Sequence, residues 1–175
     1  MALTRLGPNQ SVNLASNVTG TLPIANGGTA LTSGFVNGGV NTPAFSVTQG
    51  SGQDLANATA TKLAFNTEVF DTDSAFDHSS NYRFTVPSGE GGKYFFYAQA
   101  TLQATQDADA NSIFFYKNGS SFQSAMNTNQ YYDTSEISIV MDLSAGDYIE
   151  VYFEHNRGTT DDVANGRWYG FKLIT

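Results

Sequence analysis

Tyr94-Phe-Phe-Tyr-Ala-Gln-Ala-Thr-Leu102 decides the fold class. Tyr94, Phe96, Ala98, Ala100 and Leu102 recur with a period of two, as one buried face of a strand requires. Ile137, Ile139, Met141 and Leu143 repeat the pattern downstream, and Ile149, Val151 and Phe153 do so after Ser144-Ala-Gly-Asp147. Upstream, Tyr82, Phe84 and Val86 alternate with Arg83 and Thr85 and stop at Pro87-Ser-Gly-Glu-Gly-Gly92. Ile113–Lys117 leads into Asn118-Gly119, the strongest short hairpin signal in the chain, with Phe122–Met126 as the returning half of that element. Ala44–Gln49, Thr61–Asn66 and Glu68–Asp71 read as shorter strands, and Tyr169, Phe171 and Leu173 close the chain on a last one. No window of a dozen residues keeps an apolar stripe at helical spacing. Eight or more short strands over about 130 residues predict an all-β sandwich or jelly roll.

Charge and composition narrow the function. The 175 residues carry 8 Lys+Arg against 16 Asp+Glu, a net charge of −8, which argues against a nucleic-acid binder because phosphate needs a basic footprint. The absence of cysteine excludes disulfide scaffolds and cysteine-based zinc sites. No apolar run approaches the ~20 residues that span a bilayer. Met1-Ala-Leu-Thr-Arg-Leu-Gly-Pro8 lacks the basic-then-apolar order of a signal peptide, so export by the general secretory route is not expected.

Composition changes at Pro43. Residues 1–42 are rich in Gly, Asn, Thr and Ser, with Arg5 the only charged side chain and Phe35 the only aromatic one. Such a stretch cannot bury enough apolar surface to fold alone. A flexible linker is one reading. The other is an attachment arm, because Val12, Leu14, Val18, Leu22, Ile24 and Leu31 recur too often for a Gly/Ser spacer. Leu14, Val18, Leu22 and Ile24 are the candidate docking residues of such an arm.

The order of landmarks after the boundary carries a resemblance. Pro43-Ala-Phe-Ser-Val47, Lys62-Leu-Ala-Phe-Asn66, Phe76-Asp77 and Asn81-Tyr-Arg-Phe-Thr-Val-Pro87 come first. Gly92-Lys-Tyr-Phe-Phe-Tyr97, Phe115-Tyr-Lys-Asn-Gly119, Leu143-Ser-Ala-Gly-Asp147 and Tyr169-Gly-Phe171 follow. This succession resembles the C1q-like domain, the jelly roll shared with tumour necrosis factor ligands, over residues 43–175. The resemblance implies a ten-stranded head that forms a homotrimer about a three-fold axis. Aromatic residues at 13% exceed what one sandwich core needs, and Phe45, Trp168 and Phe171 on the first and last strands are the candidate trimer contacts. Their alternative is the chain's own core. Asn13-Leu-Ala-Ser-Asn-Val-Thr-Gly-Thr-Leu-Pro-Ile-Ala-Asn-Gly-Gly-Thr29 in turn resembles segments of tail-fibre and other virion proteins of marine bacteriophages.

Catalytic motifs are missing. His78 and His155 sit away from any nucleophile motif and read as solvated residues at turn or strand ends; neither a phosphate-binding loop nor His-Glu-x-x-His occurs. Glu150 and Glu154 read as a solvent-exposed face opposite Ile149, Val151 and Phe153. No enzyme and no resident cofactor are expected. Calcium is the one ion left open. Asp107-Ala-Asp-Ala-Asn111 opens like a calcium loop but has Ser112 at the sixth position and Asn118 at the twelfth, so an EF-hand is rejected. Asp161 and Asp162, or Asp71, Asp73 and Asp77, are alternative oxygen clusters, with acidic surface loops as the plainer reading.

Strand parity orients the loops. With the first and last strands antiparallel, Asn156–Gly166, Asn127–Asp133 and Pro87–Gly92 are expected at the end far from the arm, and Asp107–Asn111 and Ser144–Gly146 at the near end. Asn129, Tyr131, Tyr132, Asp133 and Arg157 then form a candidate receptor-facing set, since tyrosine faces with directional polar groups suit a carbohydrate or polar protein epitope. The expectation is a non-enzymatic phage virion protein: a homotrimeric fibre or knob, anchored by the arm to capsid or tail proteins, exposed on the particle for adhesion to a host-surface glycan or protein. The alternatives are a capsid decoration protein that stabilises the shell, and a free trimeric lectin-like module.

Overall fold

A computed structural model describes residues 41–103, 110–128 and 134–173. The chain divides into Met1–Val40 and Asn41–Thr175, and the described residues belong to the second unit. Leu14, Val18, Leu22 and Ile24 of the expected arm lie outside them, as do Asn129, Tyr131, Tyr132 and Asp133. Among the described residues no helix is long and apolar enough to cross a membrane.

Among the described residues twelve strands form, in the order β1 (Ala44–Thr48), β2 (Gln53–Leu55), β3 (Thr61–Lys62), β4 (Thr67–Asp71), β5 (Phe76–Asp77) and β6 (Arg83–Thr85). The second half contributes β7 (Gly92–Leu102), β8 (Asn111–Lys117), β9 (Ser120–Asn127), β10 (Thr134–Leu143), β11 (Tyr148–His155) and β12 (Asp161–Lys172). The two beyond the expected ten are β2 and β5, three and two residues long, too short for a period to show. They pack as two antiparallel sheets. The first runs β10-β7-β12-β1-β4 with β2 beside β12, and the second runs β5-β6-β11-β8-β9 with β3 beside β11.

The core lies between the inner faces. Tyr94, Phe96, Ala98, Ala100 and Leu102 of β7 are all buried, as their alternation requires. Phe45 stacks on Phe76 and Phe84 with centroids 5.0 Å apart, and Trp168 meets Phe45 edge-on at 5.2 Å. Phe45 and Trp168 are 1% and 0% exposed, so they offer a partner chain no surface. Their assignment to the trimer contact is corrected. The aromatic surplus is spent first on a ring cluster inside the single head.

Asn118 and Gly119 both have positive φ, 53° and 78°, as a two-residue hairpin turn of this type requires. β8 and β9 are therefore two full strands, and counting the hairpin as one element misses a reversal. The loops upstream of it exchange ends. Gly92 pairs with Leu143, and Ala44 pairs with Phe171 at the same end, so Pro87–Gly92 is proximal, not distal. Leu102 and Asn111, the strand ends that flank 104–109, lie beside Val163 and His155 at the distal end. Ser144–Gly146 is proximal, as expected.

Candidate functional site

The outer face of the first sheet carries a contiguous group of aromatic side chains. β7, β12 and β10 turn Phe95, Tyr97, Tyr169, Phe171 and Val140 outward, on the opposite parity from the core residues. Register sets them in two rows: Val140-Phe95-Phe171-Ala44, and Ser138-Tyr97-Tyr169-Ser46-Phe70. The Phe95 and Phe171 rings are 5.4 Å apart, and Tyr97 stacks on Tyr169 at 4.9 Å. Val140 and Phe70 remain 54% and 48% exposed, large values for apolar side chains in a paired strand. Tyr97 Oη donates to Glu136 Oε2 at 2.8 Å. Burial, and then that bond to Glu136, push the Tyr97 hydroxyl up to about 12. Of the three expected trimer contacts, only Phe171 lies on this face.

Phe95, Tyr97 and Tyr169 escaped the sequence reading although their signal was present. Four aromatic residues in a row, Tyr94 to Tyr97, must supply both faces of a strand.

The second sheet also carries rings outward. Tyr116 and Tyr152 stack at 3.9 Å, with Phe114 edge-on to Tyr116. Burial, then the carboxylate of Glu150, raise the Tyr152 hydroxyl above its ordinary value. Glu150 itself is 6% exposed, which corrects its expected place on a solvated face. It is flanked by Arg83 and Tyr116 and takes a 3.0 Å ion pair from Lys62. His155 is corrected likewise: it is buried, with Nε2 3.0 Å from the Leu55 carbonyl oxygen. His78 is exposed and 3.2 Å from Glu68.

Arg157 follows the distal end of β11, but its side chain is only 4% exposed and lies 3.5 Å from Asp161. It is held within the head, not turned toward a receptor. Asp161 and Asp162 are consecutive in β12, opposite Leu55 and Asp54. Consecutive strand residues point to opposite faces, so the two carboxylates cannot chelate one ion. Asp161 instead forms an ion pair with Arg157 and accepts the Asp162 amide. No group of three His, Asp or Glu residues that would hold a metal occurs among the described residues. Asp77, from the other oxygen cluster, is saturated by its own turn. Its carboxylate accepts the amides of Ser79, Ser80 and Asn81 and the Asn81 side chain, and these bonds, Ser80 foremost, hold it well below the usual carboxylate range.

No protein-family model matches the chain, and no curated protein sequence matches it. Solved structures do match in shape. The globular domain of zebrafish complement 1qA is 19% identical with a TM-score of 0.57, over 75% of this chain and 98% of that one. The PRD1 vertex protein P5 is 13% identical with a TM-score of 0.60, over 77% and 99%. The Eiger tumour necrosis factor of S. frugiperda is 13% identical with a TM-score of 0.56, over 74% and 91%. At these identities the likeness is one of fold: the head is a C1q/TNF-like jelly roll.

Proposed function

We propose that this chain is a non-enzymatic viral structural protein whose jelly-roll head, residues 43–175, assembles as a homotrimer. Residues 1–42 serve as the arm that docks it to the particle, with Leu14, Val18, Leu22 and Ile24 as the docking side chains. The head is displayed outward for adhesion to the host surface. The observation that carries the reading is the aromatic face of the first sheet. Phe95, Tyr97, Tyr169, Phe171 and Val140 lie together on one side of three adjacent strands, outside a core that is already full. A contiguous apolar face of this kind marks an association surface, and self-association of three copies is what the resemblance to C1q-like domains implies. Likeness in shape to a phage vertex protein supports a virion setting.

The mass of the full chain in solution, measured by light scattering, tests the assembly. Three chains are expected, and one chain for the double variant Phe95→Ser/Phe171→Ser with its β spectrum retained. A monomeric wild-type chain would overturn the reading.

A second reading, a decoration protein that stabilises the capsid shell, draws on the same vertex-protein likeness. It is favoured if particles lacking the chain break at lower temperature yet adsorb to cells normally.

A further inference from the structure

We propose that the cleft between the Asp73–Asp77 turn and β6, together with the tyrosine beside it, binds a neutral oligosaccharide. This deepens the adhesion reading and rests on it for the source of the sugar, the host surface. The cleft has a volume of about 390 Å3, within the roughly 300–1,000 Å3 usual for small-ligand sites. Asp73, Asn81, Arg83 and Thr85 supply its polar lining, and Val86 and Pro87 an apolar wall.

Arg83 is the telling residue. A guanidinium carries five N–H donors in a fixed fork. That of Arg83 lies 4.3 Å from the centroid of the Tyr148 ring and makes no hydrogen bond or ion pair among the described residues. The two carboxylates in register with it are committed elsewhere: Asp77 to the amides of its own turn, Glu150 to Lys62. Tyr148 holds the fork while its donors stay unspent. A protein surface with a placed, uncommitted donor set beside carboxylate and hydroxyl acceptors matches vicinal sugar hydroxyls, which both donate and accept.

The neighbouring rings extend the site. Tyr148 pairs with Thr85 of the cleft lining, and Tyr116 and Tyr152 lie on the same outer face of the second sheet. Tyrosine offers an apolar body for a sugar's C–H face and a hydroxyl for its rim. Charge selects among sugars. Asp73 and Asp77 outnumber Arg83 at the cleft, and with the chain's net charge of −8 they disfavour a polyanionic chain over a neutral one. Arg83 and Tyr148 belong to the second sheet, whereas Phe95 and Phe171 belong to the first.

Calorimetric titration of the full chain with neutral hexose and N-acetylhexosamine oligosaccharides tests this, beside the same backbones bearing uronic acid. Binding of at least one neutral oligosaccharide is expected, with the uronic-acid forms weaker. Arg83→Gln is expected to weaken it by about tenfold or more, and Tyr148→Leu to weaken it also, while Arg167→Gln on the first sheet leaves it unchanged. Circular dichroism of each variant verifies the fold. No neutral oligosaccharide bound, uronic-acid forms bound better, or wild-type affinity in folded Arg83→Gln would each overturn the proposal. The mass of the same samples separates the two readings: a trimer that binds no sugar sinks the site and keeps the assembly, and a monomer that binds it does the reverse.

Discussion

The side-chain amide of Asn118, in the β8–β9 turn, donates to Asp147 Oδ1 at 2.7 Å, in the turn before β11. Asn118 Oδ1 accepts the Tyr148 amide in return, and Lys117 pairs with Asp147 at 2.9 Å. Two proximal turns are thereby tied through one carboxylate, which also caps the Ser144 amide. The bond from Asn118, then that from Lys117, lower Asp147 to about 2.

A depressed carboxylate stabilises the fold above its unfolded value, near 4, and ceases to do so as pH falls through its folded value. Asp147→Ala is therefore expected to cost about 1–2 kcal/mol at pH 7. The gap from wild type should narrow between pH 4 and pH 2. Urea unfolding across that range measures it, and a gap constant down to pH 2 would show that the carboxylate charge is irrelevant.

The two classes of aromatic residue on β1 and β12 should part company on mutation. Trp168 is wholly buried among Phe45, Phe65 and Phe76, so Trp168→Ala is expected to cost about 3–5 kcal/mol. Phe171→Ser removes a ring from the outer face, and its cost to an isolated head should stay near or below about 1 kcal/mol. Its effect should appear as loss of assembly. Chemical unfolding and mass on the same samples separate the outcomes, and a large stability loss in monomeric Phe171→Ser would contradict the placement.

How much of this was legible depends on what fixes each feature. The alternation from Tyr94 to Leu102 and the Asn118-Gly119 turn are local, and both stand where the sequence put them. β2 and β5 have no local pattern. β2 exists because β12 runs past it and because Gln53 bridges the Lys62 carbonyl and the Ala64 amide. Parity tells which residues share a side but not which side is inside, so Phe45 and Trp168 were open to either assignment until the second sheet was in place. Glu150 points outward as its parity demands, yet Lys62, 88 residues away, covers it. The chain's acidic loops looked like oxygen clusters because spacing alone cannot reveal that Asp77 is already spent on its own amides.

Two lysine–carboxylate pairs allow a comparison at nearly equal distance. Lys62–Glu150 is 3.0 Å with the carboxylate side chain 7% exposed, and Lys172–Glu90 is 2.9 Å with 39% exposed. Removing the partner of a buried charge leaves it unpaired, whereas a solvated pair is worth little. Lys62→Met is expected to cost about 1–3 kcal/mol, discounted because Lys62 is itself 30% exposed, and Lys172→Met under about 1 kcal/mol. Added salt should shrink the second difference more than the first. Equal costs in unfolding experiments would refute the role given to burial.

Gly170 sits between Tyr169 and Phe171 on β12 and faces the core. A Cβ there would lie 2.4 Å from Phe96 Cδ1 and 2.9 Å from the Phe95 carbonyl oxygen. Phe96 is 0% exposed and ringed by Tyr94, Phe84 and Phe115, so it has no room to swing away. Gly170→Ala is expected to cost about 2–3 kcal/mol by overpacking. Because the closest clash is with one ring, trimming that ring should relieve part of the strain. Phe96→Leu alone creates a small void, and in the double variant the new methyl partly occupies that void. The two losses should then fall short of their sum by about 1 kcal/mol, a coupling that a double-mutant cycle resolves. Strict additivity would mean that the strain is borne by the Phe95 carbonyl, and that β12 itself, with the outer face it carries, is displaced.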